Sequence, residues 1–295
     1  MAKHRTRCVV LIPVGPRSEP EFTNDTIASV FDHMSHVAVV VADNTRDGLE
    51  RIGSRDPPML RYRRFPSDGR ASTLGTLYFN VTTCFAEILD TYDLEVVLRL
   101  DDDALIIGPD PDLDAARYFA ANPHIGCLGS YRVNCTGYAR SFASAARTLR
   151  HELHSTAILK HPKRWMALRP IYARARRHGY EDGEHCLGAA SFFSHQALVA
   201  MRDKGLFANP ALAASELGDD HMLGLLVHAA GFDLGDFATG QYPLGLALRG
   251  LPMTPGELVD AGKKIVHSLK DHGGRNQAEL REVFRRLVAK RDVSG

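Results

Sequence analysis

"CVVLIPV", residues Cys8 to Val14, is a continuous apolar run rich in β-branched side chains that runs out in Pro13-Val14-Gly15-Pro16. Its length is that of a strand, and the absence of polar alternation means that both of its faces are covered. A strand of this kind belongs to a parallel sheet with helices on either side. Outward from it, Thr23 to Met34 has a helical pattern, and VAVVVADN (Val37 to Asn44) repeats the strand signature before stopping in Asp43-Asn44-Thr45, with Gly48 close behind. Together these segments read as one βαβ unit.

The alternation continues along the chain. LRYRRF (Leu60 to Phe65) predicts a third strand followed by a turn over Pro66 to Gly69. Leu74, Leu77, Tyr78, Val81, Phe85, Ile88 and Leu89 fall at helical spacing and predict a helix that covers the sheet. EVVLRL (Glu95 to Leu100) reads as a strand, then a helix from Leu113 to Ala121 and a strand over IGCLGSY (Ile125 to Tyr131). Later strands are expected at GAASFFS (Gly188 to Ser194) and KKIVHSL (Lys263 to Leu269). ELGDDHMLGLLVHAAGF (Glu216 to Phe232) predicts a buried helix with an acidic entry and a stop at Gly231. Leu280, Val283, Phe284, Leu287 and Val288 mark a closing amphipathic helix.

One stretch breaks the pattern. Arg140 to Arg177 holds ten Lys and Arg against a single acid, Glu152, together with the only tryptophan, Trp165. It reads as a mainly helical basic insert (134–187) between a first half (1–133) and a second half (188–295). The expected fold is therefore α/β, a Rossmann-like, mostly parallel sheet flanked by helices, in one domain across residues 1–295. An acceptor-binding lid, a solvated helical face and a homo-oligomer contact are three readings of the insert.

With 44% apolar and 24% charged residues in 295, the composition is that of a globular chain with a full core. A net charge of +1 lacks the broad positive field of a nucleic-acid binder, so no nucleic-acid partner is expected and any charged ligand must be held locally. No apolar run approaches the roughly 18 residues of a membrane span, and MAKHRTR leads into too short an apolar run for a signal peptide. A cytoplasmic chain without a transmembrane segment is expected. Five cysteines (Cys8, Cys84, Cys127, Cys135, Cys186) without CxxC spacing predict neither a disulfide framework nor a structural zinc.

The chemistry begins where the EVVLRL strand ends, at Asp101, Asp102 and Asp103. In open α/β sheets that end of a strand is where ligands bind. Three adjacent carboxylates repel one another in a partly desolvated cleft, and a counter-ion is the simplest remedy. Alternate residues of an extended segment point the same way, so Asp101 and Asp103 share a face while Asp102 points elsewhere. Oxygen ligands of this kind suit Mg²⁺ or Mn²⁺. A solvated turn in which one Asp caps the next element is the other reading. Asp219 and Asp220 in LGDDH stand at a helix start, where they serve either as a cap and dipole partner or as a pair in which one acid raises the pKa of the other.

The order of CVVLIPV, VAVVVADN, VVLRLDDD, GAASFFS, LGDDHMLGLLVHAAGF and VHSL resembles the nucleotide-sugar glycosyltransferases of the GT-A fold, family-2-like, from Cys8 to Leu269 apart from the basic insert. The resemblance implies a UDP- or GDP-sugar donor, a small-molecule or glycan acceptor, Mn²⁺ or Mg²⁺, and inverting transfer, with a retaining mechanism as the alternative. It implies metal ligation by Asp103, with Asp101 and His267, and His272 as the fallback histidine. It places Pro13, Asp43, Arg70, Asp101 and Asp102 at the donor: Asp43 at the base, Asp102 at the ribose, Arg70 at the diphosphate. Ala42 stands where the family often has an acid, and an Asx turn closing the strand is the other reading of Asp43. Asp220 takes the position of the catalytic base and Asp219 replaces the glutamate beside it.

A rival resemblance is to haloacid-dehalogenase-like phosphatases, with Asp101 and Asp103 as the nucleophile pair. The chain departs from that family at Leu105, at Leu223 and Gly224, and in having two strand-helix units ahead of the acidic strand.

Overall fold

A computed structural model describes residues 3–49, 59–66 and 74–294. The first half contains β1 (Cys8–Val14), α1 (Pro20–His33), β2 (Val37–Asp43), β3 (Leu60–Arg64), α2 (Leu74–Thr91), β4 (Val96–Leu100), β5 (Leu105–Ile106), α3 (Pro111–Ala121) and β6 (Ile125–Gly129). The insert forms α4 (Ala143–Leu153), α5 (Ala157–Lys160) and α6 (Pro162–Arg177). The rest comprises β7 (Ala190–Ser194), α7 (His195–Asp203), α8 (Asp219–Ala230), β8 (Asp233–Asp236), β9 (Leu244–Leu246), α9 (Pro255–Asp260), β10 (Ile265–His267) and α10 (Gln277–Ser294).

Seven of these strands make the central sheet in the order β8-β6-β7-β4-β1-β2-β3. Only β7 among them runs antiparallel to its neighbours, β4 and β6. All seven residues of β1 are buried, and its side chains alternate between two cores. Val9 and Leu11 pack beneath α2 and α8 with Tyr78, Phe85, Leu223 and Leu226, while Val10 and Ile12 pack toward α1 and α3 with Val30 and Phe119. The period-two pattern of a strand is present, hidden because both faces are apolar. Strand order reverses at β1, with β2 on one side and β4 on the other, and the crevice beyond their carboxyl ends is the ligand position of such sheets.

A second, three-stranded sheet, β9-β10-β5, sits beside the first. It rests on a third core in which Leu105, Val266 and Leu269 meet Leu280, Phe284 and Val288 of α10. Because β10 pairs antiparallel with β5, immediately after the aspartate triplet, a residue from the end of the chain reaches the acidic loop.

Expected and observed elements differ mainly at their ends. Helix α8 stops at Gly231 as expected, and at its entry Ser215 and Glu216 stay outside the helix, where the Ser215 hydroxyl and the Glu216 N–H donate to the buried Glu152 carboxylate at 2.8 and 2.6 Å. Lys263 lies ahead of β10 rather than in it, with its ammonium donating to the carbonyls of Ala238, Gly240 and Tyr242 at 2.7, 2.9 and 2.8 Å. Leu74 starts α2 but is 52% exposed. Strands β8 and β9 were not expected, since DLGD and LGL are too short and glycine-broken to announce themselves. No helix among the described residues is long and apolar enough to cross a membrane.

Candidate active site

Strand parity places the first member of the site. Arg99 shares its face of β4 with Val97, on the side of α2 and α8, and is buried there. Its Nη1 lies 2.6 Å from Asp101 Oδ1 and its Nη2 lies 2.8 Å from Asp219 Oδ2, at the first residue of α8. Burial works against the guanidinium's charge, but the carboxylates of Asp101 and Asp219 outweigh it and raise the Arg99 pKa. One cation thus joins the loop after β4 to the N-terminus of α8.

Beyond Arg99, one ligand-type atom each from Asp101, Asp103 and His267 lies within 4.8 Å of the others. His267 Nε2 is 3.1 Å from Asp103 Oδ1 and 3.8 Å from Asp101 Oδ2. Its Nδ1 is 2.8 Å from the Ala247 carbonyl, which can only accept, so a proton sits on Nδ1 and Nε2 faces the carboxylates. The Ser268 hydroxyl donates to Asp103 Oδ2 at 3.2 Å, and Lys270 Nζ stands 3.3 Å from the same oxygen. Burial would push Asp103 up, but the hydrogen bond and charge of His267, with Lys270, hold it well below the usual carboxylate range. At Asp102 burial, with Asp101 and Asp103 adding repulsion against a Ser18 hydrogen bond, pushes the carboxyl up to about 6.

Two cavities flank the triplet, of about 680 and 280 Å³, and both are lined by Gly15, Ser18, Asp102, Asp103 and Lys270. The larger also has Arg17 and Asn276 on its wall. The smaller extends to Pro13, Ala42, Asn44, Asn80, Arg99 and Asp101.

Asp220 is the next residue on α8. Its Oδ1 accepts the His221 N–H at 2.9 Å and its Oδ2 accepts the Gly188 N–H at 3.2 Å. Two imidazoles stand beside it, His185 Nε2 at 3.8 Å and His221 Nε2 at 3.7 Å, with ring centroids 4.2 Å apart. His185 Nδ1 donates to the Gly183 carbonyl at 2.7 Å, and Arg140 Nη2 donates to its Nε2 at 3.0 Å. Burial holds the His185 pKa low, against the pull of the Asp220 charge. The two adjacent acids split as neighbours do, but Asp219 is the one raised, by burial and by the Asp220 charge against the pull of Arg99. For Asp220, burial is outweighed by His221, His185 and Arg99, and its pKa falls.

Of the residues singled out from sequence, Pro13, Asp101, Asp102 and Asp103 line the smaller cavity, His267 joins Asp101 and Asp103, Asp219 is tied to Asp101 through Arg99, and Asp220 stands in a separate cluster with His185 and His221. Asp43 ends β2 beside the smaller cavity, with both oxygens engaged: Oδ1 accepts from Thr45 N and Oγ1 at 2.9 and 2.6 Å, and Oδ2 from Leu49 N at 3.0 Å. Ala42 and Asn44, its neighbours, line the cavity. His272 is turned to Leu251, whose N–H donates to its Nδ1 at 3.2 Å. Arg70 lies outside the described residues. Arg99, Lys270, His185, His221 and Arg140 were missed. Arg99 left a trace as the one charge in VVLRL, and Lys270 follows VHSL directly; His185 left none, because only folding brings the end of the insert to α8.

Fold and site together define an α/β protein with a carboxylate–imidazole cluster and a second carboxylate pair at the carboxyl edge of a mostly parallel sheet. Solved structures similar to the chain include a mannosyltransferase, PcManGT from Pyrobaculum calidifontis, in complex with GDP-Man and Mn²⁺, at 15% identity and a TM-score of 0.40 over 79% of this chain and 55% of that one. Another is the bifunctional glycosyltransferase WbbM in its apo form, at 12% identity and a TM-score of 0.49 over 96% of this chain and 50% of that one. The chain thus spans about half the length of the solved chains it matches. No family model and no curated protein matches it.

Proposed function

We propose that this chain is a GT-A-type, metal-dependent glycosyltransferase that moves a sugar from a nucleoside-diphosphate donor to an acceptor hydroxyl with inversion. The observation that carries the reading is the double engagement of Arg99, at 2.6 Å from Asp101 and 2.8 Å from Asp219, which ties a cation-type cluster and a pair of carboxylates to one cleft.

Asp103, Asp101 and His267 would hold Mn²⁺ or Mg²⁺. Two carboxylates with an imidazole whose other nitrogen is fixed on a backbone carbonyl form a donor set that such ions accept. When bound, the ion neutralises charge developing on the departing diphosphate. Lys270 and Arg17 on the cavity wall offer cationic partners to the same phosphates, with Arg70 assigned there by the resemblance. Pro13, Asn44, Asn80 and Asp102 wall a space suited to the nucleoside of a UDP- or GDP-sugar, and Asp43 shapes it by holding the Thr45–Leu49 loop.

Asp220 takes the proton of a small-molecule or glycan acceptor hydroxyl as the new bond forms on the face opposite the leaving group, which inverts the anomeric carbon. Its carboxylate is already oriented by the Gly188 and His221 N–H groups, so little reorganisation is needed. Asp219 keeps Arg99 in place. The phosphatase alternative asks Asp101 to be a free nucleophile, whereas its Oδ1 is held by Arg99.

The test is thermal unfolding with UDP, GDP, TDP and CDP, each with and without Mn²⁺, in the wild type and in Asp103→Ala. One nucleotide should stabilise the wild type by about 2.7 kcal/mol at a hundred times its dissociation constant, and only with the metal and Asp103 present. No shift with any nucleotide, joined to turnover of a generic phosphoester, overturns the reading.

A further inference from the structure

The insert carries a face that the proposed transfer does not use. From Ala143 to Arg177 nine Lys and Arg stand against one acid, a surplus of eight in a chain of net charge +1, so the remainder of the chain is negative by seven. The acid, Glu152, is buried and paired with Arg164 at 3.3 Å, which leaves the solvent side of α4 to α6 without a carboxylate of its own, the exposed Glu181 and the Asp182 of the insert coming only after α6. The molecule is strongly polarised, with α4 to α6 as its positive pole.

Apolar side chains stand within that pole. Leu159 is 84% exposed on α5 and Met166 66% exposed on α6. Along α6, Lys163, Met166, Arg169, Pro170 and Ala173 recur every three or four residues and are all exposed, while Arg164, Leu168, Ile171 and Ala175 turn inward. Arg150 and Arg176 pair with Asp182 at 3.3 and 3.7 Å, but among the described residues no carboxylate pairs with Lys160, Lys163 or Arg169. An acid-free helix face with exposed leucine and methionine set among cations has the composition of an interfacial helix.

We propose that this face docks the chain on an anionic bilayer surface, with Lys160, Lys163 and Arg169 at the headgroups and Leu159 and Met166 entering the edge of the acyl region. Charge complementarity supplies the attraction and the two apolar side chains supply what a soluble polyanion would not reward. Trp165 on α6 is not a free stacking ring of the kind a single-stranded nucleic acid asks for, since it donates its Nε1–H to the Leu153 carbonyl at 3.1 Å and is covered by the Arg169 guanidinium at 4.7 Å. The inference stands on the surface alone and is independent of the transfer reading.

The experiment is co-sedimentation of the full chain with phosphatidylcholine vesicles, with and without phosphatidylglycerol, at low and high salt. The variants are Lys160→Glu/Lys163→Glu and Leu159→Ser/Met166→Ser, all at exposed positions, with thermal melts confirming that both fold. Wild type should bind only the phosphatidylglycerol vesicles, about tenfold or more tightly than the Lys160→Glu/Lys163→Glu variant. Leu159→Ser/Met166→Ser should lose the binding that survives high salt. Absence of wild-type binding to anionic vesicles at low salt overturns the proposal. So does unchanged binding of Leu159→Ser/Met166→Ser, which would make the face a patch for soluble polyanions, and so does self-association through Leu159 and Met166 without vesicle binding.

Discussion

Arg99 shows how much one residue can decide. A charged side chain inside an otherwise apolar strand costs several kcal/mol of desolvation unless it is paired, and here Asp101 and Asp219 share that role. Arg99→Met leaves two carboxylates facing one another without their common cation, so a loss of about 3 kcal/mol in urea unfolding is expected. Arg99→Lys, a point charge on a shorter fork, should recover part of it and hold only one of the two acids. If Arg99→Met unfolds with the wild-type midpoint, the bridge contributes nothing and the link between the two halves of the cleft is incidental. The triplet was readable as an acidic group at a strand end but not by strand parity, because the Ala104 N–H donates to the Asp101 carbonyl at 3.1 Å and closes a turn, and Asp102 and Asp103 line the same two cavities.

At the scale of an element, α8 is the part whose fit matters most. A Cβ on Gly224 would fall 2.7 Å from the Glu184 carbonyl oxygen and 3.1 Å from His185 Cα, both backbone atoms that cannot swing aside. Gly224→Ala gains helix propensity of about 1 kcal/mol. It must also push α8 away from the Glu184–His185 segment, and overpacking of that kind costs about 1–3 kcal/mol. The net expectation is a destabilised protein in which Asp220 and His185 have moved apart, with transfer slowed about tenfold or more. Urea unfolding and a turnover assay measure the two effects, and a more stable, equally active variant would show that α8 has room to spare. From the sequence α8 could be seen as a buried helix with an acidic start; which residues it would meet could not.

For the molecule as a whole, one source of acid sensitivity lies where the insert returns to the core. Glu184 is buried, 2.9 Å from His228 Nε2 of α8, and accepts from the Glu181 N–H at 2.8 Å and from the Tyr131 hydroxyl. Burial pushes its carboxyl up, but the His228 and Tyr131 hydrogen bonds outweigh this and the folded pKa lies below the ordinary 4.5. A carboxylate with a depressed folded pKa contributes stability that is present in full above 4.5 and is lost as pH falls through the folded value. Glu184→Gln should therefore flatten the acid limb of a melting-temperature profile while leaving its neutral-to-alkaline part parallel to that of the wild type. An acid limb of unchanged slope would show that other carboxylates open the molecule first. The charge polarity of the whole chain was legible from counting alone, because the surplus of the insert is a property of composition.

By itself the sequence determined the alternation of strands and helices, the parallel character of the sheet, the helical insert and the position of the acids at strand and helix ends. These follow from local periodicity: an all-apolar heptad such as Cys8 to Val14 has few other ways to be buried. Tertiary structure alone decided who meets whom. His267 reaches Asp103 across 164 positions because β10 pairs with β5, Arg99 finds Asp219 because α8 starts opposite β4, and His185 reaches Asp220 because the insert folds back onto α8. It also brought the Asp43 carboxylate to the N–H groups of Thr45 and Leu49 and turned His272 to Leu251. Such pairings depend on sheet register and helix packing between distant segments, and no periodicity within one window records them.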